Sequence, residues 1–451
     1  MDELIDAFSD KAKRYLKSIN NRKVFPSAED IDKMKALDIP LQEHPIAPSK
    51  VLDELDTLGS PATVASTGKR YFGFVIGGAS PAPMAANLLA GIWDQNAGLE
   101  VTSPVSSYIE TVCRKWLVGI LKLPPETEAG FVTGATMANF TALASARHAL
   151  LKKLGWDVEN DGLFNAPPIR VIVGEEVHVS VLKALSMLGL GRNQVIRVPA
   201  DAQGRMKAGL IPKQSEETII CAQAGNVNTG AFDPIDEICE TARSWDAWVH
   251  VDGAFGLWAS ASPRYENLTT GIHMAHSWAT DAHKWLNVPY DSGIAFVRDK
   301  RHLIEAMSAS AAYLISGKKR EPFHHVPEMS RRARGIEIWA ALRALGKKGV
   351  ADLIESNCEC ASLFAKKLSG AGYRVLNDVV LNQVLVSFGG PETTKRVISR
   401  VQEDGTCWCG GTEWHGETAM RISVSSWRTT DRDVEESTDA IIRIAEQENR
   451  K

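Results

Sequence analysis

Apolar residues recur along this chain in two rhythms. Over residues 1–60 the period is helical: Leu4, Phe8, Ala12 and Leu16 stand four apart, and Ile31, Met34 and Leu37 follow a Ser27 that has Asp30 three residues on, the arrangement of an N-terminal capping box. Pro40, Pro45 and Pro48 interrupt this rhythm, and Val51, Leu52, Leu55 and Leu58 resume it. The pattern predicts an amphipathic helical arm that cannot bury its own apolar stripe and therefore packs on something else.

From residue 61 to 305 short β-branched runs alternate with helical segments. An apolar helix spans Pro83 to Trp93, and a strand ending in Val132 leads through Thr133-Gly134-Ala135-Thr136 into a helix that reaches Ala149. Further strands are read at Arg170–Val173, Gln194–Val198, Thr218–Cys221, Ala247–Val251 and Gly293–Val297, with an apolar run from Met274 to Ala279 and a helix carrying Val181, Leu182, Leu185 and Leu188. Runs of this kind fit a parallel sheet covered on both faces, so this part is a large α/β domain. Residues 306–451 form a smaller unit. The polar stretch Ser316 to His325 has weak periodicity and reads as a mobile lid loop. Two helices follow, one after Arg332 and one ending at Leu368, then strands at Arg374–Leu376 and Gln383–Ser387, a helix from Thr394 to Glu403, an alternating strand Met420–Ser425 and a last helix from Asp431 to Glu448.

Composition narrows the class only modestly. With 451 residues, 44% hydrophobic and 24% charged, the chain is an ordinary globular protein. A net charge of −4 and a pI near 6.3 give no basic field for nucleic acid or an anionic membrane. No apolar run approaches the length of a membrane span, and Met1-Asp2-Glu3-Leu4-Ile5-Asp6 lacks the basic and apolar regions of a signal peptide, so a cytoplasmic location is expected. Seven cysteines, an odd number, do not make a disulfide framework; Cys358/Cys360 and Cys407/Cys409 are spaced more closely than zinc ligands, and no metal is expected.

The chemistry-bearing residues fall near the carboxyl ends of the strands. The Ala247–Val251 strand delivers Asp252 into the turn Gly253-Ala254-Phe255-Gly256, and Lys284 directly follows His283 between two apolar runs. An amine in an apolar pocket has its pKa lowered and attacks carbonyls, which is how Schiff-base lysines arise. A carboxylate at a strand end can hold a pyridine nitrogen protonated and make the ring an electron sink. Together they point to pyridoxal phosphate. The turn before Thr136 adds free N–H groups and the positive end of a helix, an anion site suited to a phosphate.

Asp252-Gly253-Ala254 followed by Asp281-Ala282-His283-Lys284-Trp285 resembles the signature of the group II pyridoxal-phosphate-dependent amino-acid decarboxylases, which include the aromatic amino-acid and glutamate decarboxylases. The resemblance implies the fold-type I architecture of pyridoxal-phosphate-dependent transferases: an α/β large domain with a mostly parallel seven-stranded sheet, a small carboxyl-terminal α+β domain and an amino-terminal arm lying on the partner of a homodimer. It further implies that Lys284 carries the cofactor, that Asp252 faces the pyridine nitrogen, and that His178 stacks on the ring face where the substrate reacts, with Ala254 on the other face. Ala135 and Thr136 match the phosphate-binding turn, and His283, with Ser277 as a second candidate, matches a phosphate contact. Asn226 falls where a donor to the cofactor's phenolic oxygen stands. Tyr71 and Phe72 are implied to border the substrate side chain. Arg421, whose guanidinium can offer a bidentate fork, matches an arginine that contacts a substrate carboxylate in glutamate decarboxylases.

The chain also departs from its relatives. Gly68-Lys69 stands where many carry His-Pro, and Asn226-Val227 where many carry threonines. Aromatic amino-acid decarboxylases have a lid tyrosine that donates a proton, and no tyrosine lies between Ser316 and Arg332, leaving His324 or His325 as proton sources. The expected activity is decarboxylation of an L-amino acid to its amine and carbon dioxide. Tyr71, Phe72, Phe74, Trp93 and Tyr290 suit an aromatic side chain, whereas an acidic one requires a further cation such as Arg421 or Lys69. Trp285 reads as packing. An aminotransferase, an aldehyde-forming oxidative decarboxylase or a carbon-carbon lyase would use the same lysine and aspartate, and a catalytically silent binding protein is the non-enzymatic alternative.

Overall fold

The computed structural model describes residues 1–308 and 320–450, so Ser316 to Lys319 of the expected lid lie outside the described residues. Seven strands form the central sheet: β1 (Glu128–Val132), β2 (Ile169–Gly174), β3 (Ile196–Val198), β4 (Glu217–Gln223), β5 (Trp248–Asp252), β6 (Ser277–Asp281) and β7 (Gly293–Val297). Their spatial order is β1-β7-β6-β5-β4-β2-β3, and only β7 runs against its neighbours. Every residue of β5, β6 and β7 is buried. Coverage on both faces is what selects the Val, Ile and Ala runs over an alternating pattern. The register pairs Gln223 with Asp252 and Asp252 with Ala279, so β4, β5 and β6 finish side by side at one edge. That edge is where an open α/β sheet binds its ligand.

Helices α1 (Asp2–Ser18), α2 (Ala28–Met34) and α3 (Pro48–Glu54) make up the arm, followed by α4 (Pro81–Trp93), α5 (Pro104–Ile120) and α6 (Ala135–Lys153). The capping box is present: Ser27 Oγ accepts the Asp30 N–H at 3.1 Å and the Asp30 carboxylate accepts the Ser27 N–H at 3.3 Å. Lys11 pairs with Asp53 at 2.6 Å and Arg14 with Asp56, tying α1 to the segment it folds back on. α5 has no counterpart in the apolar rhythm because its buried face is mixed: Cys113, Leu117, Val118 and Ile120 line its second half and polar groups its first. Ser106, Ser107 and Glu110 are buried, and Glu110 holds Arg331 at 2.5 Å and Arg320 at 2.8 Å.

That anchoring corrects the expectation for the second half of the lid. Arg320 is ion-paired, Pro322–His325 forms a single helical turn, and Phe323 and His325 are buried. His325 bonds to the Glu321 carbonyl at 3.1 Å, and burial pushes its pKa far down, so it is a packing residue. His324 packs its ring against Phe323 at 4.0 Å.

The second sheet, β8 (Arg374–Val375), β9 (Gln383–Ser387), β10 (Gly410–Trp414) and β11 (Glu417–Ser423), is antiparallel in the order β10-β11-β9-β8. The two helices expected after Arg332 are one segment, Gly335–Gly370, bent at Gly346. Met420, Ile422 and Val424 join Val384, Val386 and Phe364 in the core of this unit. The two-residue period of a strand then turns Arg421 to the opposite face, toward the large sheet. Residues 70–73 lie along this unit as an extra edge: Phe72 N–H donates to the Trp408 carbonyl at 2.8 Å and Ser423 N–H donates to the Phe72 carbonyl at 3.0 Å.

Among the described residues no helix is long and apolar enough to cross a membrane. His148, His302 and Glu305 have ligand atoms close enough to share a metal. Both ring nitrogens of His148 are already engaged, by Glu159 at 2.6 Å and Glu305 at 3.0 Å, and Lys152 pairs with Glu305 at 2.7 Å, which makes the group an ion-pair network.

Candidate active site

Five titratable groups from four separate stretches of the chain converge at the carboxyl edge of the large sheet. His178 lies within electrostatic reach of Asp252, Lys284, Arg421 and Asp281, which come from β5, the turn after β6, β11 and the end of β6. His178 caps the helix Val179–Met187, its Nδ1 accepting the Ser180 N–H at 3.2 Å, and burial lowers its pKa. With Nδ1 accepting, the neutral ring carries its proton on Nε2.

Asp252 is buried and held by donors only. Asn139 Nδ2 reaches its Oδ2 at 3.2 Å, Ser180 Oγ lies 3.4 Å from the same oxygen, and the Ala254 N–H donates to Oδ1 at 3.2 Å. Behind Asn139 runs a relay: Trp248 Nε1 donates to Ser277 Oγ at 2.9 Å, Ser277 lies 2.9 Å from His250 Nδ1, and His250 Nε2 lies 2.8 Å from Asn139 Oδ1. The one orientation that satisfies every member points each donor toward Asp252. Burial holds the His250 pKa down to about 4, so this imidazole is neutral. Ser277 is therefore a member of this relay at the far end of β6 and not a phosphate contact; a seryl oxygen beside a lysine motif in sequence was brought to the wrong end of its strand.

Lys284 Nζ lies 3.0 Å from Asp281 Oδ2. Asp281 Oδ1 accepts the Ala135 N–H, the first amide of α6, at 2.6 Å. His283 Nδ1 accepts the Ser292 N–H at 3.1 Å, its Nε2 sits 3.5 Å from Asp281 Oδ1, and its ring packs on Tyr290 at 4.3 Å. Burial lowers its pKa as well. The turn that opens α6 has no side-chain cap, and a Cβ on Gly293 would stand 2.4 Å from Gly134 Cα, so two glycine backbones meet here. Thr136, the next residue of α6, has an amide without an intrahelical acceptor. Ala254 bridges the strand ends, its carbonyl accepting the Asp281 N–H at 2.9 Å. Trp285 is buried, with Nε1 bonded to Asn357 at 2.9 Å, as its packing role requires.

Arg421 is largely buried, bonds Asn228 Oδ1 at 3.4 Å, and has an Nε with no partner. No carboxylate of the described residues pairs with it. Tyr71 stacks on Trp408 at 5.2 Å between ring centroids, and Phe74 stacks on the same indole at 5.9 Å. Burial pushes the Tyr71 and Tyr290 phenols up to about 12, and Tyr290 feels both Asp281 and Tyr71. Phe72 points the other way. It is fully buried against Phe364 at 4.9 Å in the small core, so it does not border a substrate; alternation along residues 71–73 sends neighbours to opposite faces. Asn226 holds its own turn, its Oδ1 accepting the N–H groups of Asn228 and Thr229 at 2.8 and 3.2 Å. Asp281, Asn228 and Trp408 were not singled out from sequence. Asp281 lay inside the motif that carries Lys284, but only the return of the chain at β6 shows that it reaches α6.

The conserved domain of pyridoxal-dependent decarboxylases matches residues 32–388. The chain belongs to this family. It is a pyridoxal-phosphate-dependent amino-acid decarboxylase, a lyase that acts on an amino-acid substrate. The aromatic-L-amino-acid decarboxylase of Bacillus atrophaeus is 27% identical over 368 residues, 76% of this chain and 73% of its own length. An acidic amino acid decarboxylase of Mus musculus is 28% identical over 313 residues, 65% of this chain and 55% of its own. The crystal structure of Oryza sativa TDC with PLP and tryptamine matches with a TM-score of 0.90 at 20% identity, covering 99% of this chain and 97% of that one, a likeness of fold. The decarboxylase's residues fit the cofactor: a glycine-lined helix start whose N-cap residue offers no side-chain cap, for a phosphate, a buried carboxylate held only by donors, and an amine beside Asp281 at that helix start.

Proposed function

We propose that this decarboxylase takes an L-aromatic amino acid and releases the corresponding amine. The observation that carries the reading is the inventory of cations. Of the two cations expected to meet an acidic side chain, Lys69 is paired with Asp433 at 2.7 Å, which leaves Arg421, with its unpartnered Nε, for one carboxylate. Gly410, which pairs with Arg421 across the small sheet, lies against Trp408, and Trp408 joins Tyr71 and Phe74 in a wall of rings. Aromatic rings prefer such offset or edge contacts, worth about 0.5–1.5 kcal/mol each beyond burial.

In this reading Lys284 would hold the cofactor's carbonyl carbon, the first amides of α6 at Ala135 and Thr136 together with His283 would hold its phosphate, Asp252 would face its ring nitrogen, and His178 and Ala254 would pack against its ring. The cofactor, when bound, supplies an electron sink for the pair left by the departing carboxylate. Arg421 orients a substrate carboxylate through its fork. Lys284 Nζ, when not bound to the cofactor, would be a mobile proton carrier in the pocket. The neutral His178 and the relay behind Asp252 keep the charge around Asp252 fixed, so its donor shell does not have to reorganise.

The same reading keeps three parts, an arm over 1–60, a cofactor-binding domain over 61–305 and a lid and small domain over 306–451, and a homodimer. Ile5, Phe8, Leu88, Ile92, Trp93 and Tyr108 on the arm, α4 and α5 are exposed, which supports burial of these faces on a second copy. All seven cysteines are free and buried, which supports a cytoplasmic location.

The test is carbon dioxide release with product identification, from purified protein supplied with pyridoxal phosphate and L-Tyr, Trp, Phe, Dopa, Glu, Asp and cysteine sulfinate. Amine formed in step with carbon dioxide from the aromatic acids is expected. Turnover confined to the acidic substrates, or a keto acid or aldehyde in place of amine, overturns the proposal.

A further inference from the structure

One carboxylate holds both groups that the cofactor needs. Asp281 Oδ1 takes the Ala135 amide at 2.6 Å while Oδ2 takes Lys284 Nζ at 3.0 Å. Asp281 is itself buried. At the start of α6, the carboxylate thus stands where an anionic ligand would bond, because a helix N-terminus favours any negative group that reaches its amides.

The neighbourhood does not offset a second negative charge. Ser292 N–H donates to His283 Nδ1 at 3.1 Å, which fixes the ring as the neutral tautomer with its proton on Nε2, 3.5 Å from Asp281. Tyr290 packs on that ring and keeps its phenol protonated. Lys284 is the cation in contact with Asp281, and it is the group that must leave the ion pair to bind a carbonyl.

We propose that Asp281 is an electrostatic latch on cofactor loading: it occupies the Ala135 amide and the Lys284 ammonium, and yields the amide only to a phosphate group. The latch makes the pocket selective, since a ligand without a phosphate cannot compete for the amide. It also makes loading weaker than the pocket would otherwise allow, because like charges brought together cost binding energy. The inference rests on the placement of the cofactor's phosphate at α6 given above.

The test compares full-length wild type with Asp281→Asn, which keeps an acceptor for Ala135 but no charge, by equilibrium dialysis with three probes: pyridoxal phosphate, pyridoxal and inorganic phosphate. The latch predicts that Asp281→Asn binds pyridoxal phosphate and inorganic phosphate about tenfold more tightly, with pyridoxal changed much less. Asp281→Ser, with a hydroxyl in reach of the same amide, is expected to move in the same direction, so a folding failure of one variant still leaves the test standing. Phosphate bound equally by wild type and variants overturns the latch alone. Inorganic phosphate bound by none of them overturns the phosphate placement and the latch with it. Equal gains for pyridoxal and pyridoxal phosphate overturn it too, by assigning the whole effect to Lys284.

Discussion

At the edge of the seven-stranded sheet, Asp252, Asp281 and Lys284 stand within three residues of a strand end and each is fixed by a neighbour: Asn139, Ala135 and Asp281 in turn. On the four-stranded sheet, Arg421 sits in mid-strand with one long contact to Asn228 and an unpartnered Nε, and the nearby rings touch mainly one another. The two regions divide the labour. Groups whose hydrogen bonds are satisfied within the protein are preorganised for bond breaking, whereas a buried guanidinium left unsatisfied gains most when a ligand arrives. Turnover should therefore depend on the large-sheet edge and substrate affinity on the small-sheet face.

The largest effect tests the first half of that division. Lys284→Ala removes the amine and is expected to lower multiple-turnover carbon dioxide release by at least about a thousandfold. Retained turnover would remove Lys284 from the chemistry altogether. Next comes Arg421→Gln, expected to raise KM about 10- to 100-fold with a smaller change in kcat, the loss of a buried charge-assisted contact. Steady-state kinetics on the best aromatic substrate read the split directly. A fall in kcat at unchanged KM would break the comparison, since Arg421 would then act on the transition state.

Two adjacent rings sharpen the second half. Tyr71→Leu is expected to raise KM severalfold, about 0.5–1.5 kcal/mol of ring contact, with little change in Tm. Phe72→Leu is expected to do the reverse, costing about 1 kcal/mol of stability in the small core while KM stays put. Thermal unfolding and KM for both variants decide it, and a shared effect would mean that the small-sheet face moves as a unit.

The neighbours Tyr71 and Phe72 also mark how far the sequence can be read. Strands whose apolar runs are continuous, such as Gly293–Val297, were legible because burial on both faces leaves no other composition. The reversal of β7 was not, since direction lies in the connections and not in the run. α5 is not legible because its buried face opens on Ser106, Ser107 and Glu110 before turning apolar at Cys113, Leu117, Val118 and Ile120, and β10 because Gly410-Gly411-Thr412-Glu413 carries no alternating apolar signal. At the site, Lys284, Asp252 and the start of α6 each announce their chemistry by residue type and position. Which oxygen faces which group is set by register, and register placed Ser277 in a relay, Asn226 in its own turn and Phe72 in a core.

The smallest expected effect comes from beneath the large sheet, where His250 carries the relay to Asp252. Burial holds His250 and His276 down to about 4 in the folded chain. In the unfolded chain both take up a proton near the ordinary histidine value of about 6.5. Between these values the unfolded state binds more protons, so stability is full above about 6.5 and is lost as pH falls toward about 4, by up to about 1.4 kcal/mol per pH unit for each group. His148 works in the opposite sense: its hydrogen bond to Glu159 raises its pKa, so its contribution is present at low pH and fades as pH rises through the folded value. Denaturant midpoints should therefore fall from about pH 6.5 to about pH 5, and His250→Gln, which can keep both neighbours in the relay without titrating, should flatten that fall by one group's share. An unchanged slope would mean that His250 is already protonated in the fold. Asp252 would then face a cation from beneath, and the large-sheet edge would lose the donor-only shell that distinguishes it from the face around Arg421.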